Sequence, residues 1–147
     1  AAALTSVKEV IRAVEILFAY ELKLIHVDFT MDLEDNLPKM RIDLPNAQRI
    51  LMHLMANTME ALEDQEKKSI TIQARHSGEM VSITLGHSGL EISEDLVAQM
   101  FTPLFTTKGD GHIGMGLPLA RALAQAAKGD LVYAPGEGFR LTLPAGA

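Results

Sequence analysis

A two-layer α/β sandwich, in which helices cover one face of a mixed and mainly antiparallel sheet, is the fold class that the sequence predicts. Three observations lead there. Stretches of helical period alternate with stretches of period two along the chain. The pair Ser69 to Ala74 and Met80 to Leu85, separated by His76-Ser77-Gly78-Glu79, reads as an antiparallel hairpin. At 147 residues and 48% apolar content, the chain suits one domain, spanning 1–147, with one substantial core.

The elements follow in order. From Val7 to Tyr20, the residues Val7, Val10, Ile11, Val14, Ile16, Leu17 and Phe18 recur at mostly helical spacing, opposite Lys8, Glu9, Arg12 and Glu15. Lys23 to Met31 alternates as a half-buried strand, and Met31 to Pro38 is an acidic loop. A short strand over Met40 to Leu44 leads into Pro45, which suits a first helical turn because the amide there needs no partner. The helix it opens runs to Leu62, with Ala47, Ile50, Leu54, Thr58 and Ala61 on its apolar face. After the hairpin come a short helix from Ser93 to Met100, a Gly-rich loop from Gly109 to Gly114, and a helix through Ala127 that stops near Gly129. Strands Leu131 to Tyr133 and Phe139 to Leu143 flank a Pro135-Gly136 turn.

Composition narrows the function classes. The formal charge of −6 and the absence of cysteine argue against polyanion binding, a disulfide scaffold and a thiolate metal site. No apolar run reaches the roughly 20 residues that cross a bilayer, and the start from Ala1 to Glu9 lacks the order of a signal peptide. The expected setting of this domain is cytoplasmic, with no direct membrane contact and no nucleic-acid partner.

Three constellations could carry chemistry. His53, Asn57 and Glu60 fall at i, i+4 and i+7 of the long helix and form a polar stripe beside its apolar face. Such a stripe lines a pocket or is simply solvated, and its own residues do not decide between the two. Further on, Met100-Phe101-Thr102-Pro103-Leu104-Phe105-Thr106-Thr107-Lys108 joins apolar anchors to a lysine that can meet phosphate as a point charge. Gly111-His112-Ile113-Gly114-Met115-Gly116-Leu117 then opens a helix, and backbone amides at such a start suit phosphate oxygens.

The order of these segments resembles the GHKL ATPases, whose fold is of the Bergerat type. Within them it resembles the catalytic, ATP-binding domain of two-component sensor histidine kinases, over about residues 5–145. His53 to Ala61 occupies the register of the asparagine box, and Asn57 matches its magnesium-coordinating asparagine. Met100 to Lys108 follows the Phe box almost position by position, and its Phe-Thr-Thr-Lys ending points away from gyrase-like, chaperone and mismatch-repair members. Gly114, Gly116 and Leu117 match the second glycine box. Of the first glycine box only Gly89 is kept, with His87 in the register of the adenine-reading aspartate and Glu91 in that of a glycine. His53 replaces the first asparagine, and His112 and Ile113 replace a Gly and a Thr, with Gly111 one residue upstream.

The resemblance implies a phosphotransferase domain at the C-terminal part of a longer, bacterial chain, in which any membrane anchor is carried by other segments. Its cofactors are ATP and Mg²⁺, its catalytic residues His53, Asn57 and Glu60, and its metal ligand Asn57. The nucleotide-binding set is Asn57, His87, Gly89, Lys108, Gly111, Gly114, Gly116 and Leu117. The implied partners are a helical dimerisation and histidine-phosphotransfer domain of the same protein and the receiver of a response regulator. No histidine here precedes Glu or Asp, as a phosphoacceptor of that kind usually does, so the acceptor belongs to another domain. The departures at His53, His87, Glu91 and His112-Ile113 motivate an alternative: a pseudokinase-like interaction module with little or no ATP binding. A third reading is a histidine-phosphotransfer protein built on the same platform.

Overall fold

A computed structural model of the protein describes residues 3–88, 94–102 and 116–146. Helix α1 (Val7–Leu24) leads to β1 (Asp28–Leu33), α2 (Leu44–Leu62), β2 (Ser69–Ser77) and β3 (Met80–His87), followed by α3 (Glu94–Met100), α4 (Gly116–Ala126), β4 (Asp130–Ala134) and β5 (Gly138–Pro144). The five strands lie in the order β1-β2-β3-β5-β4. Only β1 and β2 run parallel; the other pairings are antiparallel.

The pleat explains the layering. On β2, β3 and β5, the residues Ile70, Ile72 and Ala74, Val81, Ile83 and Leu85, and Phe139, Leu141 and Leu143 are buried. Between them, Thr71, Gln73, Ser82, Thr84, Arg140 and Thr142 remain at least partly accessible, as expected of an antiparallel sheet with one wet face. Val10, Ile11 and Val14 of α1, Ile50, Leu54 and Met55 of α2, and Leu117, Ala120 and Ala124 of α4 join the buried strand residues in one core. The two-layer sandwich is the observed fold.

The long helix starts and ends as expected. Asp43 caps α2 by accepting from the Asn46 amide at 2.8 Å, and Pro45 lies in the first turn. The hairpin is also present, but its strands reach Ser77 and Met80, so the connection is the pair Gly78-Glu79, with Gly78 at φ +60°. At the end of α4, Lys128 takes φ +67° and the Gly129 amide donates back to the Ala124 carbonyl at 2.9 Å, which terminates the helix.

Four expectations need correction. The segment Lys23 to Met31 is not one strand: α1 continues to Leu24, the Ile25 amide donates to the Glu21 carbonyl, and His26 at φ +58° turns the chain into β1. Its alternation there is also consistent with a helix end, where Leu22 faces inward and Leu24 outward. On α1, Ile16 and Leu17 are 74% and 56% exposed, because the stripe through Val7, Val10, Ile11 and Val14 already fills the face toward the sheet. Ala61 is likewise exposed. Met40 to Leu44 forms no strand; Met40 instead bridges Thr5 and Ala145, and α2 begins at Leu44. The expected start of α3 at Ser93 and the Gly-rich loop from Gly109 to Gly114 lie outside the described residues.

Two positions carry measurable consequences. Thr58 is wholly buried, and its hydroxyl has no hydrogen-bond partner among the described residues. Thr58→Val keeps the shape and removes the unpaired group, so it should raise stability by about 1 kcal/mol in denaturant unfolding. Gly138 has φ +119°, and a Cβ there would sit on the Leu85 carbonyl oxygen. Gly138→Ala should therefore lower stability by more than about 1 kcal/mol in the same assay.

Candidate functional site

Burial of one side of α2 fixes where its polar stripe falls. Ile50, Leu54 and Thr58 are in the core, and His53, Asn57 and Glu60 follow at the boundary, each half-buried. The stripe is thus neither core nor freely solvated surface. Glu60 has a further interaction within the protein.

Helix α4 packs beside α2. A Cβ built on Gly116 would lie 3.3 Å from His53 Nδ1, so the imidazole rests directly against the first residue of α4. A larger residue at position 116 would press on that ring. The next residue, Leu117, is buried and anchors the helix start in the core. His53 and Gly116, far apart in sequence, therefore meet where α2 and α4 adjoin.

His87 ends β3, opposite Ile70 of β2. Its Nδ1 lies 2.7 Å from the Ser88 carbonyl oxygen. A carbonyl only accepts, so Nδ1 is the donor in this contact, and Nε2 is the nitrogen left to act as an acceptor in that tautomer. Ser88 is itself held: its hydroxyl donates to the Lys67 carbonyl and accepts from the Ser69 amide, both at 2.9 Å, and its amide donates to the Ser69 carbonyl at 3.0 Å. The ring is thus oriented by the end of the hairpin and not by α2. Gly89, Lys108, Gly111 and Gly114 lie outside the described residues, as do Glu91 and His112-Ile113.

Sequence reasoning assigned no role to Ser88 or to Arg121. Ser88 gives no signal, since a serine at a strand end is ordinary. Arg121 on α4 pairs with Asp130 at 3.1 Å and stacks over the Phe101 ring, 5.3 Å from its centroid, a contact between residues that no motif connects.

The stripe carries hard oxygen donors, the Asn57 amide and the Glu60 carboxylate, of the kind that Mg²⁺ takes. Among the described residues no cluster of three or more His, Asp or Glu side chains could cage an ion. Mg²⁺ commonly needs only one or two protein oxygens and completes its shell with phosphate and water, and the Asn57 amide can supply one.

Burial lowers the pKa of His53 from its ordinary value of 6.5, so its neutral form is favoured in the fold. The unfolded chain then binds this proton more readily than the folded one, and stability must fall as pH drops below about 6.5 through the lowered value. His53→Gln should remove this part of the slope, as read from unfolding midpoints between pH 7.5 and 5.

Comparisons with known proteins agree with this geometry. The catalytic domain of histidine kinase ThkA superposes with a TM-score of 0.86 at 26% identity, covering 99% of this chain and 96% of that one. Sensor histidine kinase ZraS of Escherichia coli O157:H7 is 33% identical over 111 residues, 74% of this chain and 24% of that protein. The C4-dicarboxylate transport sensor protein DctS of Rhodobacter capsulatus is 29% identical over 118 residues, 76% of this chain and 18% of its own length. This chain therefore spans about a quarter or less of these two relatives. Residues 42–147 match the family described as histidine kinase-, DNA gyrase B-, and HSP90-like ATPase, and the chain belongs to that family.

Proposed function

We propose that this chain is the ATP-binding catalytic domain of a two-component sensor histidine kinase. The observation that carries the reading is the half-buried stripe of His53, Asn57 and Glu60, with His53 seated on Gly116 at the start of α4, in a chain of this ATPase family. The stripe supplies an amide oxygen and polar side chains, and the α4 start supplies backbone amides.

In this reading Asn57 holds the Mg²⁺, and His53 and Glu60 orient a water or a phosphate oxygen. When bound, Mg²⁺ supplies neutralisation of phosphate charge. Lys108 and the amides of Gly111, Gly114 and Gly116 contact phosphates, while Leu117 keeps the helix start in place. Neutral His53 can donate or accept one hydrogen bond there without adding a charge. His87, with Gly89 beside it, borders the base: Nε2 accepts from the adenine amino group, taking over the part of a carboxylate acceptor.

The reaction is transfer of the γ-phosphoryl. Its bond to the bridging oxygen of ADP breaks as a bond forms to a ring nitrogen of a histidine on a separate helical dimerisation domain. The phosphoryl then passes to the receiver of a response regulator. A solved structure of ThkA in complex with response regulator protein TrrA supports the class of partner, and its kinase superposes on this chain with a TM-score of 0.81 at 23% identity. Positioning and charge neutralisation account for such catalysis, since the phosphoryl transition state asks little covalent chemistry of the protein.

No helix among the described residues is long and apolar enough to cross a membrane. The domain works in the cytoplasm, where ATP is available, and a membrane anchor belongs to other parts of the kinase. The interaction-module alternative has nothing in its favour beyond the sequence departures, and the tautomer of His87 that offers Nε2 as an acceptor weakens one of them.

Calorimetric titration with ATP and Mg²⁺ tests the assignment. Asn57→Ala should abolish magnesium-dependent binding with an unchanged melting temperature; undiminished binding would refute the metal role. His87→Ala should weaken ATP binding about fivefold, as loss of one neutral hydrogen bond does. No wild-type binding at millimolar ATP would reject the proposal as a whole.

A further inference from the structure

On β3 the buried side chains are Val81, Ile83 and Leu85, and His87 follows at the same parity, opposite the buried Ile70 of β2. The imidazole therefore leaves the sheet on the side that the helices cover, the side on which α2 lies, and it is half-buried there. Its Nδ1 is 2.7 Å from the Ser88 carbonyl oxygen, a group that only accepts. An imidazole in that contact donates through Nδ1, and its neutral form then has Nε2 left as an acceptor.

Ser88 is itself tied to the start of β2. Its hydroxyl donates to the Lys67 carbonyl and accepts from the Ser69 amide, and its own amide donates to the Ser69 carbonyl. Two of these three bonds run through the hydroxyl, so alanine at this position would lose both and hold the Ser88 carbonyl less firmly. The consequence for His87 differs from what a carboxylate would feel in its place. A carboxylate accepts through either oxygen whatever its surroundings, whereas a neutral imidazole accepts only through the nitrogen that carries no proton.

What holds Nδ1 therefore decides what Nε2 can read. With Nδ1 donating to Ser88, Nε2 meets the exocyclic amine of a 6-amino purine and opposes the oxygen of a 6-oxo purine; with the other tautomer the preference reverses. We propose that Ser88 is a positioning residue that sets base specificity: by keeping its carbonyl on His87 Nδ1, it leaves Nε2 as the acceptor and so selects 6-amino over 6-oxo purine nucleoside triphosphates. This inference rests on the reading in which His87 borders the base. It assigns a role to a residue that need not touch the nucleotide.

Two measurements on the 147-residue chain test it, with every variant checked by thermal unfolding. Nitrogen-15 NMR of the nucleotide-free chain at pH 8 reads which ring nitrogen of His87 carries the proton. The wild type should show it on Nδ1, and Ser88→Ala should move the ring toward the other tautomer; a wild-type ring protonated on Nε2 would overturn the inference alone. Calorimetry then compares ATP with inosine triphosphate, its 6-oxo counterpart, each with Mg²⁺. The wild type should prefer ATP about tenfold, since the 6-oxo base loses the hydrogen bond and sets two acceptors against each other. Ser88→Ala should narrow the preference to about threefold, Ser88→Thr, which keeps a hydroxyl, should retain it, and Ser88→Ala should change the ratio no further once His87 is Ala. Equal affinity of the wild type for the two nucleotides would overturn the inference, as would equal weakening of both by Ser88→Ala, an undiminished preference in that variant, or a further loss in the His87→Ala background. Absence of ATP binding by the wild-type chain would overturn both this inference and the function on which it rests.

Discussion

Burial of one face of α2 is the constraint on which the rest of the structure depends. The side chains of Ala47, Ile50, Leu51, Leu54, Met55, Met59 and Leu62 are taken from water together, at about 25 cal/mol per Å² of apolar area. That burial fixes the rotation of the helix about its axis. With the rotation set, His53, Asn57 and Glu60 have no freedom to choose between core and solvent, and they stand at the boundary. A site of this kind is positioned by the core beneath it.

The second helix of the site is placed by a close approach. Gly116 lets α4 begin against the His53 ring, and Leu117, Ala120 and Ala124 then carry that helix into the core. Small residues allow the approach, and the buried leucine holds it. The same helix presents Arg121 toward Phe101 and Asp130. Thus α4 meets the His53 ring at its first residue and the Phe101 ring about one turn later.

The sheet contributes in another way. Its wet face carries Thr, Ser, Gln and Arg, while its buried face meets the helices, so chemistry gathers at strand ends and helix starts. His87 is an instance: the hairpin ends there, and Ser88 ties both the chain and the imidazole to the neighbouring strand. A histidine oriented by a carbonyl is left with one acceptor nitrogen, and no charge is needed to make it so.

The sequence by itself determined most of the element types, though not the strand expected over Met40 to Leu44, and with them the two-layer class and the stripe on α2, because periods of 3.6 and 2 are local properties that burial selects. It misplaced the end of α1, since the alternation from Lys23 to Met31 fits a strand as well as a helix end followed by the turn at His26. It could not show whether the stripe lies against a partner, which orientation of His87 is held, or that Arg121 stacks on Phe101. Those were decided by the tertiary structure alone. Each depends on contacts between residues distant in the chain, such as Gly116 with His53, Ser88 with Lys67 and Ser69, and Phe101 with Phe139, and such contacts arise only when separate elements pack on one core.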